Sequence, residues 1–273
     1  MNPPIQDFQY KISLGQNFIF DEALLSSLVE QTPLKPGDAV LEIGAGRGDL
    51  TLMLAKKAGQ VIALEIDERL EKVLLDRFSR LDNIRLVMGD VMKTDLGALM
   101  EPYGVFHVVA NLPYYLTTPI LSMLFRTSLP VLSVSVMVQK EAAQRVLAKP
   151  GTPEYGPLAV MAALRGRPYE TIQVPAACFT PPPKVDSAFL VIPFIENPLL
   201  DAGEIALFER VVDSAFFMRR KTLLNNLMKT FNFTRQQALN CLSNLGIDEK
   251  ARGETLDLDQ FIALYRQIKN EIN

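Results

Sequence analysis

Short, almost continuous apolar runs alternate with amphipathic segments through the first two thirds of the chain. Ala39–Ile43, Gln60–Leu64, Ile84–Met88, Val105–Ala110 and Leu129–Val138 are the runs. Their brevity and uniform apolarity read as strands covered on both faces. The intervening segments Leu50–Ala58, Glu68–Phe78, Thr118–Arg126 and Lys140–Ala148 repeat apolar positions at helical spacing. Asp67 is placed to cap the second of these helices, and Pro119 falls in the first turn of the third. Strand and helix in regular alternation predict βα units and a doubly wound, mostly parallel sheet. Upstream lies a polar-aromatic arm, Lys11–Phe20, and a helix with Leu24, Leu25, Leu28 and Val29 on one face. Downstream come a helix over Leu158–Arg165 and two late strands, Tyr169–Val174 and Ala188–Phe194.

From Asp201 onward the pattern is helical throughout. Asp201 with Glu204, Thr234 with Gln237 and Asp257 with Gln260 each have the spacing of a capping box. An Asn197-Pro198 turn marks the change, so the chain divides into residues 1–196, an α/β domain, and 197–273, a small all-helical domain. Lys149-Pro150-Gly151-Thr152-Pro153 interrupts the first domain and reads as a mobile loop near the functional site.

Glycines and strand ends narrow the chemistry. Gly44-Ala45-Gly46-Arg47-Gly48 lies between strand and helix, where glycine lets backbone pass close to a ligand. A dinucleotide fingerprint needs glycine at 49, but Asp49 stands there. With the acidic Glu42 inside the strand, the GxGxG spacing favours an S-adenosylmethionine loop over a nicotinamide site. Glu65 ends the second strand at the distance where an acid meets ribose hydroxyls, and Asp90 ends the third, where it reads equally as a cap. The fourth strand delivers Asn111-Leu112-Pro113-Tyr114 to the same edge. The Asn111 side-chain oxygen and the Leu112 carbonyl could accept from an adenine amine; Pro113 keeps Leu112 extended and lacks a competing N–H, and Tyr114 offers a face for stacking. An ordinary strand-to-loop exit explains the same four residues. Phe179, heading the Pro181-Pro182-Pro183 segment, is either a second aromatic wall opposite Tyr114 or part of a stiff connector.

Composition excludes several classes. A 273-residue chain that is 48% hydrophobic has ample core, and its longest apolar stretches fall short of a membrane span. With no signal-peptide core in Met1–Phe20, a soluble cytoplasmic protein is expected. Cys178, Cys241 and His107 are too few and too scattered for a zinc site, so free thiols and no metal are expected. His107 lies inside an apolar strand and reads as structural. The net charge of −3 supplies no global attraction to nucleic acid, leaving any such partner to local patches or shape. One such patch runs from Ser214 to Ile247, where Arg219, Arg220, Lys221, Lys229 and Arg235 occur without an acid; it reads as a phosphate grip or as a solvated helix face.

Taken together, Gln16-Asn17-Phe18, Glu42 through Gly48, Glu65-Ile66-Asp67, Gly89-Asp90, Asn111 through Tyr114, Phe179 with the triple proline and Val185-Asp186-Ser187, and Arg219-Arg220-Lys221-Thr222 closely resemble the ribosomal RNA adenine dimethyltransferases. Within them the chain looks most like the KsgA/RsmA type, and the match runs in order from about Lys11 to Asn226. The resemblance implies a class I S-adenosylmethionine methyltransferase fold, Rossmann-like with a seven-stranded sheet, followed by a helical RNA-binding domain. It implies dimethylation of two adjacent adenines near the 3′ end of small-subunit (16S) rRNA, with the large-subunit enzyme of macrolide resistance and a mainly non-catalytic assembly factor as alternatives. By resemblance, Asn17, Ile19, Gly44, Gly46, Glu65, Asp90 and Asn111 surround S-adenosyl-L-methionine, with Glu65 on its ribose and Asp90 on its adenine. Asn111 and Leu112 hold the target amine, Tyr114 and Phe179 sandwich the flipped base, and Arg219, Arg220 and Lys221 contact RNA. The resemblance implies the small ribosomal subunit as partner, and a monomer is expected.

Overall fold

The computed structural model describes residues 15–196 and 198–272; the arm before Gly15 and the Asn197 of the expected turn lie outside them. Strand β1 (Phe18–Ile19) leads into α1 (Glu22–Gln31), whose first turn is capped by the Asp21 carboxylate accepting from the Ala23 and Leu24 N–H groups. Then follow β2 (Ala39–Ile43), α2 (Asp49–Lys57), β3 (Gln60–Glu65), α3 (Glu71–Phe78), β4 (Ile84–Met88), α4 (Leu96–Met100), β5 (Phe106–Asn111), α5 (Thr117–Arg126), β6 (Val131–Gln139), α6 (Lys140–Leu147) and α7 (Pro157–Arg165). Strands β7 (Tyr169–Val174), β8 (Phe179–Thr180) and β9 (Ser187–Pro193) precede the last helices, α8 (Ile205–Phe216), α9 (Leu223–Phe231), α10 (Arg235–Ser243) and α11 (Leu258–Ile272). All three expected capping boxes form: Asp201 with Glu204, Thr234 with Gln237, and Asp257 with Gln260.

Among the described residues, seven strands make one sheet in the order β4-β3-β2-β5-β6-β9-β7. The first five in that order run parallel, and β9 is antiparallel to both β6 and β7. The remaining two, β1 and β8, form a separate antiparallel pair that sets Ile19 opposite Phe179. Every residue of β2 is buried, as expected where helices cover both faces. The chain leaves β2 toward β3 and β4 on one side and reappears on the other at β5. That reversal opens a crevice at the carboxyl ends of β2 and β5, where doubly wound sheets bind ligands.

The described residues divide into two compact units, and the division is not one cut near residue 197. The first unit runs through Ile120 and includes Leu129–Ala143 and Tyr169–Phe194; the second joins Leu121–Ser128 and Gln144–Pro168 to the chain from Ile195 onward. The reason lies in α7, an apolar helix with six buried residues that packs on α8 and α11. The Lys149–Pro153 loop also belongs to this second unit: the Gly151 N–H donates to the Glu254 carbonyl at 2.8 Å, and the Arg219 guanidinium donates to the Pro153 carbonyl at 2.8 Å. These bonds anchor it, and none of its residues lines the site described below, so the expectation of a mobile loop beside the site does not hold. No described helix is long and apolar enough to cross a membrane.

His107 and Glu42 are buried polar side chains in the sheet with opposite circumstances. His107 bridges Ser133 Oγ at 2.7 Å and Asp38 Oδ2 at 3.2 Å, the structural role its apolar strand suggested. Cys178 and Cys241 are free thiols. Glu42, at the centre of β2, is fully buried, and neither carboxylate oxygen has a hydrogen-bond partner among the described residues. Removal from water pushes its pKa up to about 8; the nearby Thr51 hydroxyl offsets part of this, and the charges of Glu65 and Asp49 add to it. Glu42 is therefore protonated in the native protein at neutral pH but ionised once unfolded. Between roughly pH 4.5 and 8 the native state holds the extra proton, so stability falls as pH rises through that window, by up to about 1.4 kcal/mol per pH unit from this group. Urea unfolding at pH 5, 6.5 and 8 should show a shallower pH dependence for Glu42→Gln than for the parent. Parallel curves would show that Glu42 is ionised in the native state.

Candidate active site

The ends of three parallel strands, β2, β3 and β5, supply the site. After β2 the chain turns through Gly44–Gly48, whose backbone is tied to the end of β3: Gly44 and Ala45 N–H donate to the Leu64 carbonyl at 2.8 and 3.2 Å, and Gly46 N–H donates to Glu65 Oε2 at 2.7 Å. Gly46 has φ +58°, and a Cβ there would lie 2.7 Å from the Phe18 ring. Both facts require glycine, because the left-handed backbone and the close aromatic leave no room for a side chain. Gly46→Ala is expected to destabilise the protein by about 1–3 kcal/mol, read as a lower urea midpoint. An unchanged midpoint would mean that Phe18 yields without cost.

Glu65 is 5% exposed and carries more than one bond. Its Oε1 accepts from the Ile66 and Asp67 N–H groups at 2.9 and 2.8 Å, while Oε2 takes Gly46. A carboxylate has about four lone-pair sites, so holding both hydroxyls of a ribose requires one of these backbone bonds to open. Burial raises the Glu65 pKa above the ordinary glutamate range, and the backbone donors offset only part of that rise. Beside it, the Arg69 guanidinium, with help from Gln16, holds the Asp67 carboxyl down at about 2. The Gln16 amide donates to Asp67 Oδ2 at 2.8 Å and pins the arm to the end of β3.

At the end of β5, Asn111 sits opposite Met137 of β6. Its Nδ2 donates to the Asn17 carbonyl at 2.9 Å, which leaves Oδ1 as the open acceptor. Leu112 is anchored through its N–H to the Met137 carbonyl at 3.1 Å. Pro113 is extended, with φ −62° and ψ 132°, before a single 3₁₀ turn over Tyr114–Leu116. The Tyr114 hydroxyl lies 2.9 Å from Ser187 Oγ, which fixes the orientation of the ring, and burial pushes the phenol pKa up.

Asn17, Ile19, Gly44, Gly46, Glu65, Asn111, Leu112 and Tyr114 line one cavity, floored by Met137 and Phe189. Two expected members are elsewhere. Phe179 is 2% exposed and packs in the cluster of Leu25, Leu28 and Val191; its pairing with Ile19 makes it a support under the arm, not a wall of the cavity. Asp90 lies outside the lining, and its Oδ1 accepts from the Met92 N–H at 2.9 Å, closing the turn after β4. In the other direction, sequence reading gave no role to Met137 or to the Ser187 hydroxyl. Met137 reaches the site only through strand register, and nothing local in Val185-Asp186-Ser187 indicates that the hydroxyl meets Tyr114, 73 residues away. Among the described residues no group of three or more His, Cys, Asp or Glu side chains is placed to hold a metal ion.

The three basic residues expected at RNA also part company. The Arg219 guanidinium bonds the Pro153 and Tyr155 carbonyls at 2.8 and 3.3 Å, bracing the second unit internally. Arg220 and Lys221 are exposed, and their side chains make no ion pair or hydrogen bond among the described residues.

Comparison with known proteins shows the family. Residues 7–270 match the family model described as ribosomal RNA adenine dimethylase. The chain is 43% identical over 263 residues to the ribosomal RNA small subunit methyltransferase A of Shouchella clausii, covering 94% of this chain and 89% of that one. It is 40% identical over 264 residues to the protein of the same name from Geobacillus thermodenitrificans, covering 94% and 90%. Among solved structures, a dimethyladenosine transferase from Plasmodium falciparum superposes with a TM-score of 0.80 at 26% identity, covering 93% of this chain and 98% of that one. The 23S rRNA methyltransferase ErmE gives 0.71 at 26% identity, covering 93% and 100%. A glycine loop tied to a buried acid, an Asn-Leu-Pro-Tyr turn with its amide oxygen left open, and a family match spanning nearly the whole chain lead to one conclusion: this chain belongs to the ribosomal RNA adenine dimethylase family.

Proposed function

We propose that this protein dimethylates, at N6, two adjacent adenines near the 3′ end of small-subunit rRNA, using S-adenosyl-L-methionine and acting as a cytoplasmic monomer. The observation that carries the reading is the Asn111 amide: with Nδ2 committed to the Asn17 carbonyl, its oxygen is the acceptor left for an exocyclic amine. The residues around it fit the cofactor: Gly44 and the buried carboxylate of Glu65 line the same cavity, and a Cβ at Gly44 would meet nothing nearer than the Asn111 carbonyl at 3.9 Å.

Adenine N6 is a weak nucleophile because its lone pair is delocalised into the ring. In this reading Asn111 Oδ1 and the Leu112 carbonyl accept its two N–H groups and draw the lone pair out of conjugation, while Tyr114, held by Ser187, stacks on the base. Stacking returns about 1–3 kcal/mol against the few kcal/mol that flipping costs. Bound in the cavity, the cofactor supplies an activated methyl group with a sulfide as leaving group, so positioning dominates and no strong base is required. The amine held by Asn111 and Leu112 would take that methyl group in place of the sulfide and give up its extra proton to water. The monomethylated amine then rotates to present its remaining N–H for a second round.

Transfer of labelled methyl groups to small subunits lacking the modification tests the reading, with large-subunit RNA and DNA alongside. Dimethyladenosine near the 3′ end of the small-subunit RNA is expected. Label in large-subunit RNA alone would reassign the substrate, and particle binding without transfer would indicate an assembly factor.

A further inference from the structure

At the end of α8 an aromatic ring stands in water beside an open cavity of the helical unit. Phe217 is 59% exposed, and the Lys229 ammonium lies 5.2 Å over its ring centroid. The adjoining cavity, of about 320 Å³, is lined by Phe217, Asp213, Glu209, Arg210, Arg126 and Thr230, a volume within the range of small-ligand sites. Most of its polar groups are already engaged. Arg126 pairs with Glu209; the Arg210 guanidinium donates to the Thr230 carbonyl at 3.1 Å and covers the Phe231 ring at 4.7 Å. Asp213 is different: its carboxylate has no hydrogen bond or ion pair among the described residues, and it sits four residues before Phe217, on the same side of the helix axis. The chain from Ser214 to Ile247 carries five basic residues and no acid, and Arg220 and Lys221 remain uncommitted.

We propose that Phe217 and Asp213 form a subsite for one unpaired RNA base, which stacks on the exposed ring while its Watson–Crick edge donates to the carboxylate. The proposal rests on the RNA-directed function above and adds to it a base contact separate from the modification cavity. An exposed aromatic flanked by cations is the usual platform for single-stranded nucleic acid, sequence-tolerant because every base has a π-face. The carboxylate adds a preference that stacking lacks. Guanine offers two adjacent N–H donors on that edge, and the other bases offer fewer. Lys229, Arg220 and Lys221 supply the phosphate attraction that the acidic chain as a whole does not.

The chain contains no tryptophan, so Phe217→Trp introduces a single fluorophore at the site. Titrating that variant with an unstructured guanine-containing RNA octamer should quench its emission, and an octamer with uracil at every guanine should bind more weakly. Phe217→Ala should weaken octamer binding by about 5- to 150-fold with cofactor affinity unaffected, and Asp213→Asn should abolish the guanine preference while keeping the quench. An unquenched tryptophan, or Phe217→Ala binding within twofold of the parent, overturns the proposal; if Arg220→Glu with Lys221→Glu loses binding at the same time, the surface is electrostatic only. The fluorescence readout does not depend on methyl transfer. Failure of the small-subunit assay would remove the proposed substrate without deciding the base contact.

Discussion

Asn111→Ala is expected to lower the rate of methyl transfer by about 10²- to 10³-fold while changing cofactor affinity by less than fivefold. The magnitude is that of deleting one preorganised hydrogen-bonding group aimed at developing charge. The same substitution removes the bond to the Asn17 carbonyl, so some loosening of the arm accompanies it. Asn111→Asp separates the two effects: it keeps an acceptor for the amine but replaces the Nδ2 donor with an oxygen that faces a carbonyl. If orientation by Asn17 matters, the aspartate variant is as inactive as the alanine one. A fully active Asn111→Asp enzyme would show that any acceptor at this position suffices. Single-turnover rates at saturating cofactor, with cofactor affinity measured separately by calorimetry, give both numbers.

Glu65→Ala should produce the opposite division, weakening cofactor binding on the order of 10²-fold with a smaller effect on the rate at saturation. Two losses combine: the acceptor for the cofactor's hydroxyls, and the bond that ties Gly46 N–H to the end of β3 at 2.7 Å. Hydrogen bonds to a charged group contribute about 1.5–3 kcal/mol each, which sets the expected scale. Glu65→Gln keeps the volume but offers one acceptor oxygen in place of two, and should fall between. Because binding uses the carboxylate, and burial raises its pKa, cofactor affinity should decline as pH is lowered, starting above the ordinary glutamate range. Loss of cofactor affinity to the same degree in Asn111→Ala and Glu65→Ala would contradict the assignment of one residue to the amine and the other to the cofactor.

Much of this was legible in the chain itself. Covered strands announce themselves because both faces must be apolar, so five uniform runs separated by helical spacing specify a parallel sheet without any contact information. Capping boxes are local too, and all three formed where their spacing put them. Glu65 and Asn111 could be assigned to one rim because βα units place every parallel strand's carboxyl end on the same edge. What the sequence alone determined, then, is the α/β class, the rim, and the residue types brought to it.

Only the tertiary structure decided how those residues are used, because use depends on partners distant in the chain. Which end of the Asn111 amide faces the cavity is settled by the Asn17 carbonyl, 94 residues away in sequence. Phe179 and Asp90 had the same local credentials as Tyr114 and Glu65, yet strand pairing buried the one and a tight turn engaged the other. Arg219 reads like Arg220 in any basic run; the carbonyls of Pro153 and Tyr155 make it a brace. The Lys149–Pro153 segment looked free because proline and glycine specify a break but not what the break is bonded to. Local chemistry chooses the elements, and long-range hydrogen bonding and burial choose which of their side chains remain available to a ligand.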